Sequence, residues 1–260
     1  MFKAKGISFK VMRVGFRQIG LDLFRRSPGY HYVPNYHGRS AYKQDNLSEM
    51  PIFGEIARET IAHGTTNHYY DRLYTIYHAL LNTRRVFGAE KINLAEVGVF
   101  KGGTSYFIAA VAQALGMTSA TFFGFDTFEG HLTQDVDLGV DQVDRTSGFS
   151  DTDFEGVMAY LHEFNNVELY KGRFQETSKA IADRRFHFVH LDVNIYEVTA
   201  YCLEFFHQRL LSGAIVVVDD YAVSSCPGVK AAVDEFIERQ PGYLIMPLLS
   251  GQGLLVKAER

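Results

Sequence analysis

Three acids that follow two apolar runs are the first residues in this 260-residue chain whose types and spacing could do chemistry. His190-Leu-Asp192-Val-Asn194 ends the run FHFVHLDV, and Val218-Asp219-Asp220-Tyr221 ends AIVVVDD. If both runs are strands and neighbours, Asp192, Asp219 and Asp220 share one edge within a few ångströms. Carboxylates that close raise one another's pKa unless a cation neutralises them. An all-oxygen set with room for water and substrate suits Mg²⁺ or Ca²⁺ rather than zinc. Such an ion would chelate two substrate hydroxyls and acidify one of them. The plainer alternative is aspartates that cap turns or stand in solvent, and the convergence of two strand ends weighs against it.

A second constellation is Glu96-Val-Gly98-Val-Phe-Lys101-Gly102-Gly103-Thr104-Ser105. Gly98 and Gly102 let the backbone turn tightly and approach a ligand that a Cβ would block. Neither the dinucleotide pattern G-x-G-x-x-G nor the phosphate loop G-x-x-x-x-G-K-[ST] is present. With Glu96 beside the turn, the loop suits a cationic ligand without phosphates, such as S-adenosylmethionine. Glycines after a strand also serve plain helix packing, so the loop alone decides little. The next strand, TFFGFD, ends in Asp126, twenty-eight residues after Gly98. An acid there accepts ribose hydroxyls or caps a following turn.

Other candidates are less specific. His63, His68 and His131 are each either a substrate-side base or a solvated or core histidine. The run 135–155 holds seven acids and reads as a mobile lid over the cofactor or as solvated loop. Its Asp135-x-Asp137-x-Gly139-x-Asp141 start faintly resembles a calcium loop, but Thr146 stands where the bidentate Glu belongs. Tyr30, Tyr32, Tyr36 and Tyr42 form either a sugar-stacking wall or packing for an N-terminal arm.

These residues need elements to hold them. From residue 92 short apolar runs at 92–100, 121–126, 167–172, 186–193 and 214–220 read as strands. Helical patterns at 105–116, 153–164, 174–183, 196–210 and 227–240 follow them. Strands alternating with helices give an α/β fold, a doubly wound, Rossmann-like parallel sheet. YLIMPLL and GLLVKAE flank Gly251–Gly253 with no helix between, so they make seven strands with an antiparallel last one. That ending favours a methyltransferase-type sheet over a dehydrogenase. Leu73, Ile76, Tyr77, Leu80 and Leu81 form a helical apolar stripe within 52–87.

Taken together, EVGVFKGGTS (96–105), FDTFEG (125–130), YKGRFQET (170–177), HLDVNIYE (190–197), VDDY (218–221) and PGVKAAVDEF (227–236) resemble the macrocin O-methyltransferase (TylF-type) family. The resemblance covers about residues 60–255. It implies a class I methyltransferase acting on sugar hydroxyls of natural products with S-adenosylmethionine and Mg²⁺. It implies that Glu96, Gly98, Lys101, Gly102, Thr104 and Ser105 line the cofactor, with Asp126 and Thr127 at its ribose. Gly172, Arg173 and Phe174 would pass the adenine. Asp192, Asp219 and Asp220 would bind the metal, with Asp192 also touching the cofactor and receiving the acceptor's proton; His131 is the other catalytic candidate. One position departs: the family's L-D-x-D reads Leu191-Asp192-Val193-Asn194, which puts the second acid's role as base or ligand in doubt. A catechol-like acceptor, or a cofactor-binding protein that has lost catalysis, are the alternatives.

Composition sets the frame. Hydrophobic residues are 47% and charged residues 22%, as in an ordinary globular protein. A pI near 6.2 argues against a dedicated nucleic-acid binder. Two cysteines form no disulfide framework and fit a reducing cytosol. Residues 1–26 carry seven basic side chains and one acid; Lys10, Arg13 and Arg17 interrupt their apolar residues, so the stretch is no secretory signal. It reads as a basic arm that covers the domain, a partner subunit or, less readily, a membrane. The expected organisation is an arm and irregular prelude over 1–54, then one catalytic domain over 55–260, in a homo-oligomer.

Overall fold

The structure, a computed structural model, describes residues 47–258. The basic arm and the four tyrosines lie outside the described residues. A 3₁₀ turn at Leu47–Glu49 leads into α1 (Phe53–His63) and α2 (Tyr70–Phe87). Beyond them come β1 (Asn93–Val97), α3 (Gly103–Ala114), β2 (Thr121–Asp126), α4 (Leu138–Asp141), α5 (Phe154–Tyr160), β3 (Val167–Lys171) and α6 (Phe174–Thr177). The chain closes with β4 (Phe186–Leu191), α7 (Tyr196–His207), β5 (Leu210–Val218), α8 (Pro227–Arg239), β6 (Tyr243–Pro247) and β7 (Gly253–Lys257). The helix expected over 174–183 is split: α6 gives way to a 3₁₀ turn at Ser178–Ile181. There Thr177 turns its hydroxyl back on the Arg173 carbonyl, and Ser178 meets the Tyr201 hydroxyl, local bonds that compete with the helix ladder.

The seven strands form one sheet in the order β3-β2-β1-β4-β5-β7-β6. β3 to β5 are parallel, and β7 is antiparallel to both neighbours. The antiparallel last strand thus sits inside the sheet, between β5 and β6, instead of at its margin. Strand order reverses between β1 and β4, and ligands of open α/β sheets bind at such a switch.

Apolar layers cover both faces. Phe206, Val233 and Phe236, from α7 and α8, pack with Ala95, Val189 and Val216. Phe53, Leu73, Ile76, Leu80 and Phe107, from α1 to α3, pack with Leu94, Phe188 and Val217. The α2 stripe is therefore buried against the chain's own sheet. Side chains alternate along strands, and Leu94 pairs with Phe188 as Glu96 pairs with His190. Glu96 and His190 consequently face the α1–α3 layer, two residues nearer the crevice.

Candidate active site

The crevice at the ends of β1 and β4 opens into a cavity lined by residues at the ends of β1 and β2 and in the loops that follow β1, β2 and β4. Gly98 forms its floor with φ +97°, and a Cβ there would drive into the Asp192 carbonyl. Only glycine meets both demands. Beside it, Asp126 leaves β2 and accepts from the Phe100 N–H at 2.8 Å through Oδ2 and from the Phe128 N–H at 2.7 Å through Oδ1. Burial raises its carboxyl above the usual range, against the pull of those two amides. Gly172, Arg173 and Phe174 continue the same wall from the end of β3.

The opposite wall is built from distant segments. Gly103 at the start of α3 has no side chain, and a Cβ there would strike the backbone of Thr65 and Thr66. This close approach brings residues 65–68 over the strand ends. His68 is buried, with Nδ1 3.1 Å from Thr104 Oγ1. Its Nε2 lies 3.2 Å from Asp219 Oδ2 and 3.3 Å from Asp192 Oδ2. Carboxylates only accept, so Nε2 carries a hydrogen that faces both of them. Arg72, in the first turn of α2, bonds through Nη1 to Asp219 Oδ2 and reaches Asp220 Oδ1 at 3.3 Å. Gln252 donates to Asp219 Oδ1 at 2.9 Å. Asn194, at a left-handed φ of +59° that asparagine tolerates, donates to Asp220 Oδ2. Its carbonyl therefore faces His131 Nε2 at 3.3 Å, which makes that nitrogen the donor and leaves Nδ1 unprotonated in the neutral ring.

Electrostatics differ among these groups. Burial presses on Asp192 to stay neutral, but the hydrogen bond from His68, joined by the histidine and arginine charge around it, outweighs that and holds it below the usual carboxylate range. Burial, helped by the Asp192 charge, pushes Asp220 up. Burial likewise lowers His131, keeping it neutral further into acid.

Of the residues expected at the cofactor, Gly98, Thr104, Asp126, Thr127, Gly172, Arg173, Phe174 and Asp192 lie on the cavity wall, and so does His131. Four others stand off that wall. Glu96 is fully buried, bonded to the Ser105 hydroxyl and to His190 Nδ1 at 2.9 Å; strand alternation turns it toward α3. Ser105 is its partner beneath the loop. Gly102 caps α3 and packs on Val157 and Tyr160. Lys101 points outward to Asp151 at 2.5 Å.

The acid-rich segment covers the cavity through Gly130, His131, Leu132, Asp135, Gly148 and Phe149, but it is anchored. Asp135 is buried and paired with Arg173. Asp137 caps α4 at Gly139 N, and buried Asp141 accepts from Tyr196 N at 2.8 Å. These acids serve the protein's own donors and leave no calcium loop. His63 meets the Tyr160 hydroxyl at 2.7 Å, away from the crevice.

Arg72 and Gln252 carried no signal, because nothing local marks a residue that reaches the site from another element; His190 lies within HLDVNIYE, but only strand pairing gives it Glu96 as a partner. His68 carried a weak one, five residues from His63 in a polar stretch.

S-adenosylmethionine fits the residues present: a side-chain-free floor at Gly98 and an acid at the β2 end, both on the wall of one cavity. Magnesium fits poorly. The ligand atoms that converge within 4.8 Å are His68 Nε2 and one oxygen each of Asp192 and Asp219. An imidazole nitrogen suits softer ions than Mg²⁺, which prefers six oxygens. Asp220, the expected third ligand, turns to Arg72 and Asn194.

A family model described as Macrocin-O-methyltransferase (TylF) matches residues 74–245. The chain is 32% identical over 146 residues to the 8-demethyl-8-(2,3-dimethoxy-alpha-L-rhamnosyl)-tetracenomycin-C 4'-O-methyltransferase of Streptomyces olivaceus, covering 52% of this chain and 54% of that protein. It is 26% identical over 156 residues to the demethyldecarbamoylnovobiocin O-methyltransferase of Streptomyces niveus, covering 55% and 57%. The chain spans about half the length of the curated relatives it matches. Among solved structures it shares its fold with the O-methyltransferase NovP (TM-score 0.62, 21% identity, 74% of this chain and 81% of that one). It shares it also with the calicheamicin methyltransferase CalS11 (TM-score 0.63, 22% identity, 82% and 89%). No helix among the described residues is long and apolar enough to cross a membrane.

Proposed function

The chain belongs to the macrocin O-methyltransferase family, and from that premise we propose that it methylates a hydroxyl of a sugar-bearing small molecule with S-adenosylmethionine. One observation carries the reading: a single cavity has Gly98 and Asp126 on one wall and Asp192, backed by His68, on the other. The cofactor, when bound, supplies an electrophilic methyl group on a sulfonium. Gly98 leaves it room, and Asp126 and Thr127 receive its ribose. Gly172, Arg173 and Phe174 border its adenine.

Asp192 takes the acceptor hydroxyl's proton at its carboxylate, while the His68 N–H holds that carboxylate in place. His131, with Nδ1 unprotonated, is a second proton acceptor on the same wall. The anchored 128–149 segment excludes water, and alignment of hydroxyl and methyl supplies much of the rate. The names of the relatives, which act on glycosylated tetracenomycin and novobiocin precursors, support a glycoside acceptor. Buried free thiols at Cys202 and Cys226 accord with a reducing cytosol. Exposed Leu244 and Met246 on the outer strand β6 accord with a homo-oligomer.

The test is calorimetry with S-adenosylhomocysteine, followed by methyl transfer to a panel of glycosides and catechols. Binding with transfer to glycosides is expected. Transfer to catechols alone would overturn the acceptor class, and binding without any transfer would overturn the enzyme.

A further inference from the structure

Asp219 and Asp220 are buried neighbours at the end of β5, and each of their four carboxylate oxygens faces a nitrogen donor. Gln252 Nε2 donates to Asp219 Oδ1 at 2.9 Å. Arg72 Nη1 and His68 Nε2 meet Asp219 Oδ2. Arg72 Nη1 and Nη2 lie 3.3 and 3.4 Å from Asp220 Oδ1, and Asn194 Nδ2 donates to Asp220 Oδ2. A guanidinium keeps its charge at any working pH and bridges carboxylates with fixed donors. Gln252 also reaches the backbone carbonyl of Arg72 at 3.5 Å.

Asn194 is a second observation pointing the same way. An aspartate there would add another negative charge to Asp192, Asp219 and Asp220 and raise the demand for a divalent ion. Asparagine removes that charge and gives Asp220 a donor instead. One guanidinium offsets one of the pair's two charges, and the Gln252, His68 and Asn194 donors share the remainder among neutral hydrogen bonds.

We propose that the Arg72 guanidinium is the resident cation of the Asp219–Asp220 pair, in the place the family resemblance gives to magnesium, so that this chain works without a bound metal. The inference rests on the methyltransferase reading for its meaning, but not for its test. Arg72 is a positioning residue here, because it acts through the two aspartates.

The probe is Mn²⁺, followed by the paramagnetic resonance of the free ion, in the full chain and in Arg72→Met and Arg72→Lys. Wild type and Arg72→Lys are expected to leave millimolar Mn²⁺ free, and EDTA or Mg²⁺ to leave their melting unmoved. Arg72→Met is expected to gain a Mn²⁺ site at least roughly tenfold tighter than any in wild type. Stoichiometric Mn²⁺ binding by wild type that is lost in Asp219→Asn overturns the proposal. If Arg72→Met does not fold, the wild-type titration and its melt with EDTA decide alone. S-adenosylhomocysteine binding, read on the same samples, reports separately on the methyltransferase reading; its loss in wild type would sink that reading and leave the metal result standing.

Discussion

The two walls of the crevice are made in opposite ways. The β1–β2–β3 wall is mostly space and backbone: Gly98 with no side chain, and Asp126 held by its own loop's amides. Each part comes from one short turn. The β4–β5 wall presents His68, Asp192 and Asn194 to the cavity, and behind them lie Arg72, Asp219, Asp220 and Gln252, so that four separate stretches join in one network. The first wall offers shape and the second offers charge. A ligand that must be recognised and a proton that must be moved call for these two kinds of surface.

If the walls divide the labour in this way, Asp192→Asn lowers methyl transfer by about 10²–10⁴-fold while S-adenosylhomocysteine affinity changes by less than about tenfold. Turnover and calorimetry on one preparation check it; equal losses in both would erase the distinction. The shape wall is probed through the backbone. Gly98→Ala forces a side chain into a positive φ and against the Asp192 carbonyl, and denaturant unfolding is expected to show a loss of about 3 kcal/mol or more. Gly116, also at positive φ but with open space around it, is the control; its alanine variant costs about 1 kcal/mol.

A smaller effect is expected where the walls meet the covering segment. Arg173→Ala strands the buried Asp135 carboxylate. Because the guanidinium is about a quarter exposed, the loss is discounted to about 1–3 kcal/mol, and cofactor affinity should fall with it. The smallest effect is on pH. Burial lowers His131 at the crevice and His187 deep beside β1, so the folded state binds fewer protons than the unfolded chain. Stability is full above the ordinary histidine value of 6.5 and declines as pH falls below it. Melting at about pH 5.5 should lie below that at about pH 7.5, and His187→Gln should flatten the slope. An unchanged slope in that variant would show that His187 does not contribute.

The difference between the walls also explains what could be read before any fold was known. The strand–helix alternation, the antiparallel last strand and the acids at the ends of β2, β4 and β5 all leave local marks, since each strand is one apolar run and each turn one short motif. Gly98 and Asp126 belong to this class. Glu96 was misplaced because a motif gives spacing, while the face a side chain takes depends on strand pairing with His190. Arg72 and Gln252 could not be found, being 180 residues apart and joined to Asp219 only after the sheet forms. His68 fell between: its type was visible, its partners were not.

The place of β7 ties one acid of the site to the sheet. Gly251 accepts from Ala222 N at 2.8 Å, and fully buried Gln252 then reaches Asp219, just before the chain threads itself between β5 and β6. A growing chain that has made every acid of the site still lacks the amide that orients one of them, and β5 still shows a bare edge. The orientation of Asp219 and the closure of the β5 edge thus depend on the same segment.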